Sequence, residues 1–239
     1  MMRLDRWLVT LGVGSRSQVQ KLIRQGAVTV NGVAERDPAA SCDTDTAQLA
    51  LNRQPLDGRL MRHVMLHKPA GLLTAARDKK QPTVMDLLPE SYAAIGCMPV
   101  GRLDKDTTGL LFLTCDGELN HRLLSPTRHV DKTYLAQVDA PLTPADVEAF
   151  AQGLHLSDFD AKPALLEILE PTLGRVTVQE GKFHQVKRMF SAVGREVVQL
   201  HRESFGSLML DPELPEGQWR ELTDDELRGL YADAQMEEP

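Results

Sequence analysis

The sequence predicts an α+β fold in two parts: a small helix-helix-hairpin unit, then a larger domain on a largely antiparallel, mixed sheet flanked by helices. Three observations carry this expectation. Residues 1–58 contain two helical apolar patterns and one tight-hairpin signal. Beyond them, strand-like runs alternate irregularly with helical ones, unlike the regular alternation of a doubly wound parallel sheet. Finally, 239 residues with a 42% hydrophobic fraction suffice for one ordinary core plus a small one.

Taken in order, Leu4, Trp7, Leu8 and Leu11 mark a first helix that stops at Gly12 and Gly14. Ser15 with Gln18 forms a capping box, Val19, Leu22 and Ile23 supply an apolar face, and Gly26 closes the second helix. Residues 27–30 and 33–35 flank Asn31-Gly32, the pair best suited to a type I′ turn. Residues 52–62, with Pro55 and Gly58, read as a loose linker, which places a domain boundary between 58 and 59. Strands are expected at 64–67, 110–114, 133–138, 164–169, 176–179 and 197–200. Thr143-Pro144 opens a helix that Gly153 ends, and another runs from about His184 to Val193.

The net charge of −7 is unevenly distributed. Residues 211–239 hold ten acids against Arg220 and Arg228, and read as an acidic tail. The remainder is nearly neutral and locally basic: Arg3, Arg6, Arg16, Lys21 and Arg24 face only Asp5, and Arg175, Lys182, Lys187, Arg188, Arg195 and Arg202 face Glu180 and Glu196. Two basic patches on an acidic chain favour a local nucleic-acid contact over nonspecific coating. The longest apolar run, 110–113, cannot span a bilayer and no signal pattern opens the chain, so a cytoplasmic location without membrane association is expected. Cys42, Cys97 and Cys115, an odd number at wide spacing, read as small buried thiols of a reducing compartment. His63 and His67 stand four apart but in an apparent strand with no third ligand nearby, so no metal site is expected.

Arg3 to Leu8 and Ser15 to Gly32, in the order helix, cap, glycine, hairpin, resemble the S4 domain, a small RNA-binding module. The resemblance implies RNA contacts at Arg16, Lys21 and Arg24. The stretch Gly101-Arg102-Leu103-Asp104-Lys105-Asp106-Thr107-Thr108-Gly109 crowds charge and hydroxyls into a loop before an apolar strand. From spacing alone Asp104 is equally a turn residue, a surface ion-pair partner or a functional carboxylate.

Residues 101–126, with Asp131-Lys132-Thr133-Tyr134, Glu180 to Phe190 and Leu200-His201-Arg202, resemble the ordered motifs of pseudouridine synthases, particularly the ribosomal-RNA branch with an S4 domain in front. That resemblance implies that Asp104 is the essential carboxylate, as nucleophile or base, when the bond from base to sugar breaks. It makes Tyr134 the ring that stacks on the target base and can help remove the C5 proton, and Lys187 the cation that keeps Asp104 ionised. Arg102 falls near the flipped nucleotide and Leu200 on an apolar wall. His184 and Arg188 join the substrate-binding set, with Arg188 meeting solvent or phosphate. No cofactor or metal is implied. Cys115 departs from the Asn or Asp usual before Asp116-Gly117, a change expected to alter only the turn.

Within the family, the motif combination resembles most the small-subunit branch, implying uridine 516 of 16S rRNA, or a small-subunit assembly particle, as partner of a monomer. A large-subunit target, and a noncatalytic S4-type RNA-binding or assembly factor, are the alternatives. Asp104, Tyr134 and Lys187 together argue against the second, since a binding module needs none of them.

Overall fold

The computed structural model describes residues 1–237. The chain divides into two compact units, Met1–Arg62 with Leu88–Cys97, and His63–Leu87 with the chain from Met98 onward. In the first unit, helices Leu4–Thr10 and Arg16–Arg24 form where the apolar spacing places them, and Leu4, Trp7, Leu8, Val19 and Ile23 are fully buried. Ser15 and Gln18 make the capping box. The hairpin of Val28–Val30 with Val33–Ala34 turns on Asn31 at φ 52° and Gly32 at φ 81°, the two positive angles of the expected turn.

Residues 52–62 are not a loose linker. Gln54–Leu56 is a strand that pairs antiparallel with Leu49–Leu51, which in turn pairs with Val28–Val30. The connecting turn puts Asn52 and Arg53 at φ 51° and 67°, so no glycine announces it. Further along, Trp7 donates from Nε1 to the Gly58 carbonyl at 2.8 Å, and a Cβ on Gly58 would come within 2.5 Å of the indole. This segment is therefore sealed against the helical core.

The second unit is organised on one sheet, whose main path runs Leu165–Glu170, Leu173–Val178, Lys132–Val138, Val197–Phe205, Thr108–Thr114, His63–Lys68, Trp219–Glu221. Every join on this path is antiparallel except that of Val197–Phe205 with Thr108–Thr114. The expected α+β class with a largely antiparallel sheet is what forms. Helices Gly117–Leu124, Pro144–Gln152, Gln185–Ala192 and Asp224–Asp233 belong to this unit, Pro144–Gln152 opening with a Thr143/Asp146 capping box and N1 proline. None of the described helices is long and apolar enough to cross a membrane.

Two α-helices of this unit depart from the sequence reading. Gly117–Leu124 was not anticipated; Asp116 caps it, accepting from the Glu118 and Leu119 amides at 3.0 Å. The acidic segment is not a loose tail, because Asp224–Asp233 is a helix with its own Thr223/Glu226 capping box. Its Leu230, Tyr231 and Ala234 join the core with Met65, Phe112, Leu119 and Phe205, and Tyr231 Oη donates to Asp116 Oδ2 at 2.7 Å. The acids Asp224, Asp225 and Glu226 occupy its first turn, where the helix dipole favours negative charge. Glu238, counted with that segment, lies outside the described residues.

Candidate active site

The loop after Gly101 is held from beneath. Lys68, at the end of the edge-adjacent strand His63–Lys68, is fully buried and donates to the carbonyls of Pro69 (2.9 Å), Lys105 (3.2 Å) and Thr107 (2.9 Å). Those three bonds use every proton of its ammonium. Burial pushes the Lys68 ammonium down to about 8, with Asp106 and Asp104 acting in the opposite direction. Thr74 clamps Leu103 from both sides, its Oγ1 donating to the Leu103 carbonyl at 2.8 Å and standing 3.2 Å from the Leu103 amide. At the exit, a Cβ on Gly109 would lie 2.3 Å from the Arg202 carbonyl oxygen. Only glycine lets the loop leave directly into the parallel join with Val197–Phe205, at φ 102°.

So positioned, Asp104 exposes about a quarter of its side chain. His184 Nε2 stands 3.4 Å from Oδ1 and Lys187 Nζ 3.3 Å from Oδ2. Both contacts are longer than a well-formed charge-assisted hydrogen bond. Lys187 is closer to Asp106, at 2.6 Å, and that hydrogen bond holds the Asp106 carboxyl below its ordinary range. The two histidine and lysine contacts come from one turn of chain: His184 is the N-cap of Gln185–Ala192, in a left-handed conformation at φ 51°, and Lys187 follows on the helix. Gln185, Val186, Met189 and Phe190 are buried, and Lys187 lies at the flank of that stripe.

Asp104 shares a pocket of about 60 Å³ with Arg102, Tyr134, Leu200, His184 and Thr107. Tyr134 and Leu200 come from the paired strands Lys132–Val138 and Val197–Phe205 and are almost fully buried. The fold thus gathers six of the residues singled out from sequence, Arg102, Asp104, Tyr134, His184, Lys187 and Leu200, around one carboxylate.

Arg188 is turned away from this pocket and keeps about a quarter of its side chain exposed. It pairs with Asp158, bonds Ser157 Oγ at 3.2 Å and lies 4.8 Å from the Phe159 ring centre. The helix period explains this, because adjacent helical residues point about 100° apart and Lys187 already takes the pocket side. Arg16, Lys21 and Arg24 are exposed on their helix in the first unit, Arg16 also reaching Asp5 at 3.6 Å. His63 and His67 are engaged by the Thr114 hydroxyl (2.9 Å) and the Leu214 carbonyl (2.8 Å), and the described residues contain no grouping of three metal-ligating side chains.

Sequence reasoning missed Lys68, Thr74, Thr107 and the competition of Asp106 for Lys187. Lys68 follows His67 at the end of a strand and carries no local mark of its loop partners. Nothing local marks the others. Thr107 is 1% exposed and its Oγ1 has no hydrogen-bond partner among the described residues, although it lines the pocket.

Comparison with known proteins identifies the family of both parts of the chain. Residues 62–192 match the RNA pseudouridylate synthase family and residues 2–44 match the S4 domain. The chain is 43% identical to the ribosomal small subunit pseudouridine synthase A of Pseudomonas aeruginosa, covering 95% of this chain and 99% of that protein. It is 41% identical to the Escherichia coli protein of the same name, over 96% and 100%, and 42% identical to the uncharacterized RNA pseudouridine synthase YtzG of Bacillus subtilis, over 96% and 98%. A crystal structure of a pseudouridylate synthase superposes with a TM-score of 0.68 at 37% identity, covering 96% of this chain and all of that one. By these matches the chain belongs to the RNA pseudouridylate synthase family, with an S4 domain ahead of the synthase fold.

Proposed function

We propose that this isomerase converts uridine to pseudouridine in ribosomal RNA, at uridine 516 of the small-subunit RNA, with Asp104 as its essential carboxylate. The observation that carries the reading is the Asp104 carboxylate, set between His184 and Lys187 in the same pocket as Tyr134. In the reaction the N1–C1′ bond of uridine breaks, the base turns, C5 bonds to C1′, and the C5 proton leaves as N1 regains one. Atoms and electrons balance without an external oxidant or reductant. A carboxylate beside the sugar serves this chemistry by attacking C1′ or by taking a proton, and His184 and Lys187 stand beside its two oxygens to orient it. Tyr134 offers a ring face to the uracil and a hydroxyl for the C5 proton, while Leu200 closes the apolar side. The target base must leave its stack to reach such a pocket, at a cost of a few kcal/mol that contacts to the phosphates and to the Tyr134 ring offset. In this reading Arg102, which lines the pocket, and the exposed Arg16, Lys21 and Arg24 of the S4 helix contact the RNA.

The test uses small-subunit RNA tritiated at uridine C5. The protein releases tritium to water and Asp104→Asn does not, and the product site maps to uridine 516. Release by Asp104→Asn at the parental rate, or no release from any ribosomal RNA or precursor particle, overturns the enzyme assignment. A product at another position overturns only the target.

A further inference from the structure

Next to the Asp104 pocket lies a larger cavity of about 660 Å³ that shares Arg102, Tyr134 and Lys182 with it. Two cations are built into the wall of this cavity by the sheet. Lys132 precedes Tyr134 by two residues on the same strand, and Arg202 is the cross-strand partner of Tyr134, so all three stand on one face of the sheet. Lys132 is 8% exposed and Arg202 is 2% exposed.

Neither cation has a carboxylate within ion-pair distance among the described residues. Lys132 Nζ donates to the Val130 carbonyl at 2.7 Å and lies 5.2 Å from the Phe205 ring centre. Arg202 donates from Nε to the Leu110 carbonyl at 2.7 Å, and the same Phe205 ring is 5.4 Å from its guanidinium. Arg202 Nη2 is buried with no hydrogen-bond partner among the described residues. Burial, and then repulsion from Arg202, push the Lys132 ammonium down to about 8. Two buried like charges with an unused guanidinium donor form an incomplete arrangement, since buried charge is normally paired. Lys162 and Lys182 add positive charge at the rim. Glu180, the acid on that rim, is occupied by Gln185 Nε2 and the Lys162 amide, both at 2.9 Å.

We infer that Lys132 and Arg202 form a subsite for one backbone phosphate of the RNA, that of a nucleotide flanking the uridine held between Asp104 and Tyr134. The inference rests on the synthase reading above and adds a phosphate contact to it. The chemistry fits: a guanidinium with an unused N–H and an ammonium, both lining this cavity, are each donors suited to a phosphate oxygen. The shared Tyr134 and Arg102 make the two cavities adjacent, as a base and its neighbouring phosphate are adjacent in one strand. Bound phosphate would also supply the counter-charge that the pair lacks.

The experiment is phosphate-alkylation interference with the full chain. Substrate RNA ethylated at random phosphates is incubated with the protein, and retained and unretained molecules are compared position by position. Ethylation of a phosphate flanking the target uridine is expected to be excluded from the RNA retained by the parental protein. With Lys132→Met that exclusion fades while exclusion at distant phosphates persists. Lys132→Met is also expected to raise KM about tenfold and to reduce the slope of log(kcat/KM) against log salt by about 0.7, the signature of one lost phosphate contact to a single strand. Lys132→Arg restores both. Because Arg202 also braces Leu110, Lys132 is the position to vary; should Lys132→Met not fold, the parental interference pattern decides. Absence of exclusion at both flanking phosphates, or unchanged exclusion with Lys132→Met, overturns the subsite. Unmodified RNA reports separately on the synthase reading: normal tritium release without flanking exclusion removes the subsite alone, and no release removes both.

Discussion

Two aspartates show how the units differ. Asp5, in the first unit, is fully buried and its carboxylate is saturated: Arg3 Nε and Nη2 donate at 3.0 Å, Gln20 Nε2 at 2.9 Å, and Arg16 stands at 3.6 Å. The Arg3 bonds, opposed by burial, hold its carboxyl well below the ordinary carboxylate range. Asp104, in the second unit, keeps a quarter of its side chain open and meets Lys187 at 3.3 Å and the His184 ring at 3.4 Å, while Lys187 gives its short bond to Asp106. Similar neighbours therefore produce a structural group in one place and an available one in the other. The difference lies in how far the oxygens are already occupied, since each lone pair given to a fixed donor is one fewer to offer a substrate.

The sharpest way to break this comparison is to remove each charge with little change of shape. Asp104→Asn is expected to lower kcat/KM by at least about 10³-fold while changing unfolding free energy by less than about 1 kcal/mol, as for other half-exposed ion pairs. Tritium release and urea denaturation measure the two. Lys187→Met comes next, with a loss of about 10²-fold in kcat and less than tenfold for Asp106→Asn, which only competes for the lysine. A larger loss at Asp106 than at Asp104 would show that the carboxylate closer to Lys187 is the working one.

Asp5→Asn should do the opposite, costing about 2 kcal/mol of stability through its lost charge-assisted bonds. The pH dependence follows the same sign. Because Asp5 has a depressed folded pKa, its contribution is present above its unfolded value, near about 4, and is lost as pH falls through the folded value. The acid limb of a denaturation series should therefore flatten in Asp5→Asn.

What could be read from sequence follows from the range of the interactions. Ser15 with Gln18, Asn31 with Gly32 and Thr143 with Pro144 declare their structures within a few residues, and each formed as read. Gln54–Leu56 did not, because its turn uses Asn52 and Arg53 in place of glycine. The Asp224–Asp233 helix was hidden by acid density, although its capping box and apolar spacing are local. In the site, spacing left Asp104 ambiguous and the ordered motifs singled it out. Lys68 and Arg202 were out of reach: the carbonyls that accept from them belong largely to loop and strand residues far along the chain, Lys105, Thr107 and Leu110. A buried charge is explained by its three-dimensional partners, and sequence does not display them.

Lys68 gives a smaller effect in which stability and activity move apart. Its folded pKa, near 8, lies below the ordinary lysine value, so between about pH 8 and 10 the unfolded chain holds more protons than the folded one. In that window this titration makes the folded state relatively more stable as pH rises, and Lys132 acts with the same sign. Activity should fall instead, by up to about tenfold per pH unit above 8, because a neutral amine has two protons for three loop carbonyls. Stability and kcat that fell together would break the proposed clasp on the Asp104 loop.

The smallest expected effects lie on the S4 helix, and the Asp5 comparison ranks them. Lys21 and Arg24 are exposed with side-chain charges free to meet phosphate, whereas Arg16 is 70% exposed but reaches back to Asp5. Each of Lys21→Gln and Arg24→Gln should reduce the slope of log Kd against log salt by about 0.7 to 0.9, with a several-fold loss of affinity at moderate salt. Arg16→Gln should reduce it by less, since part of its charge already neutralises Asp5, and should lower the stability of the first unit slightly, by about 0.5 kcal/mol. In an Asp5→Asn background Arg16 is released from that pairing, and its share of the salt dependence should rise to match that of Lys21. If Arg16 contributes equally in both backgrounds, the Asp5 contact leaves its charge untouched and the contrast between saturated and open carboxylates does not extend to the cations around them.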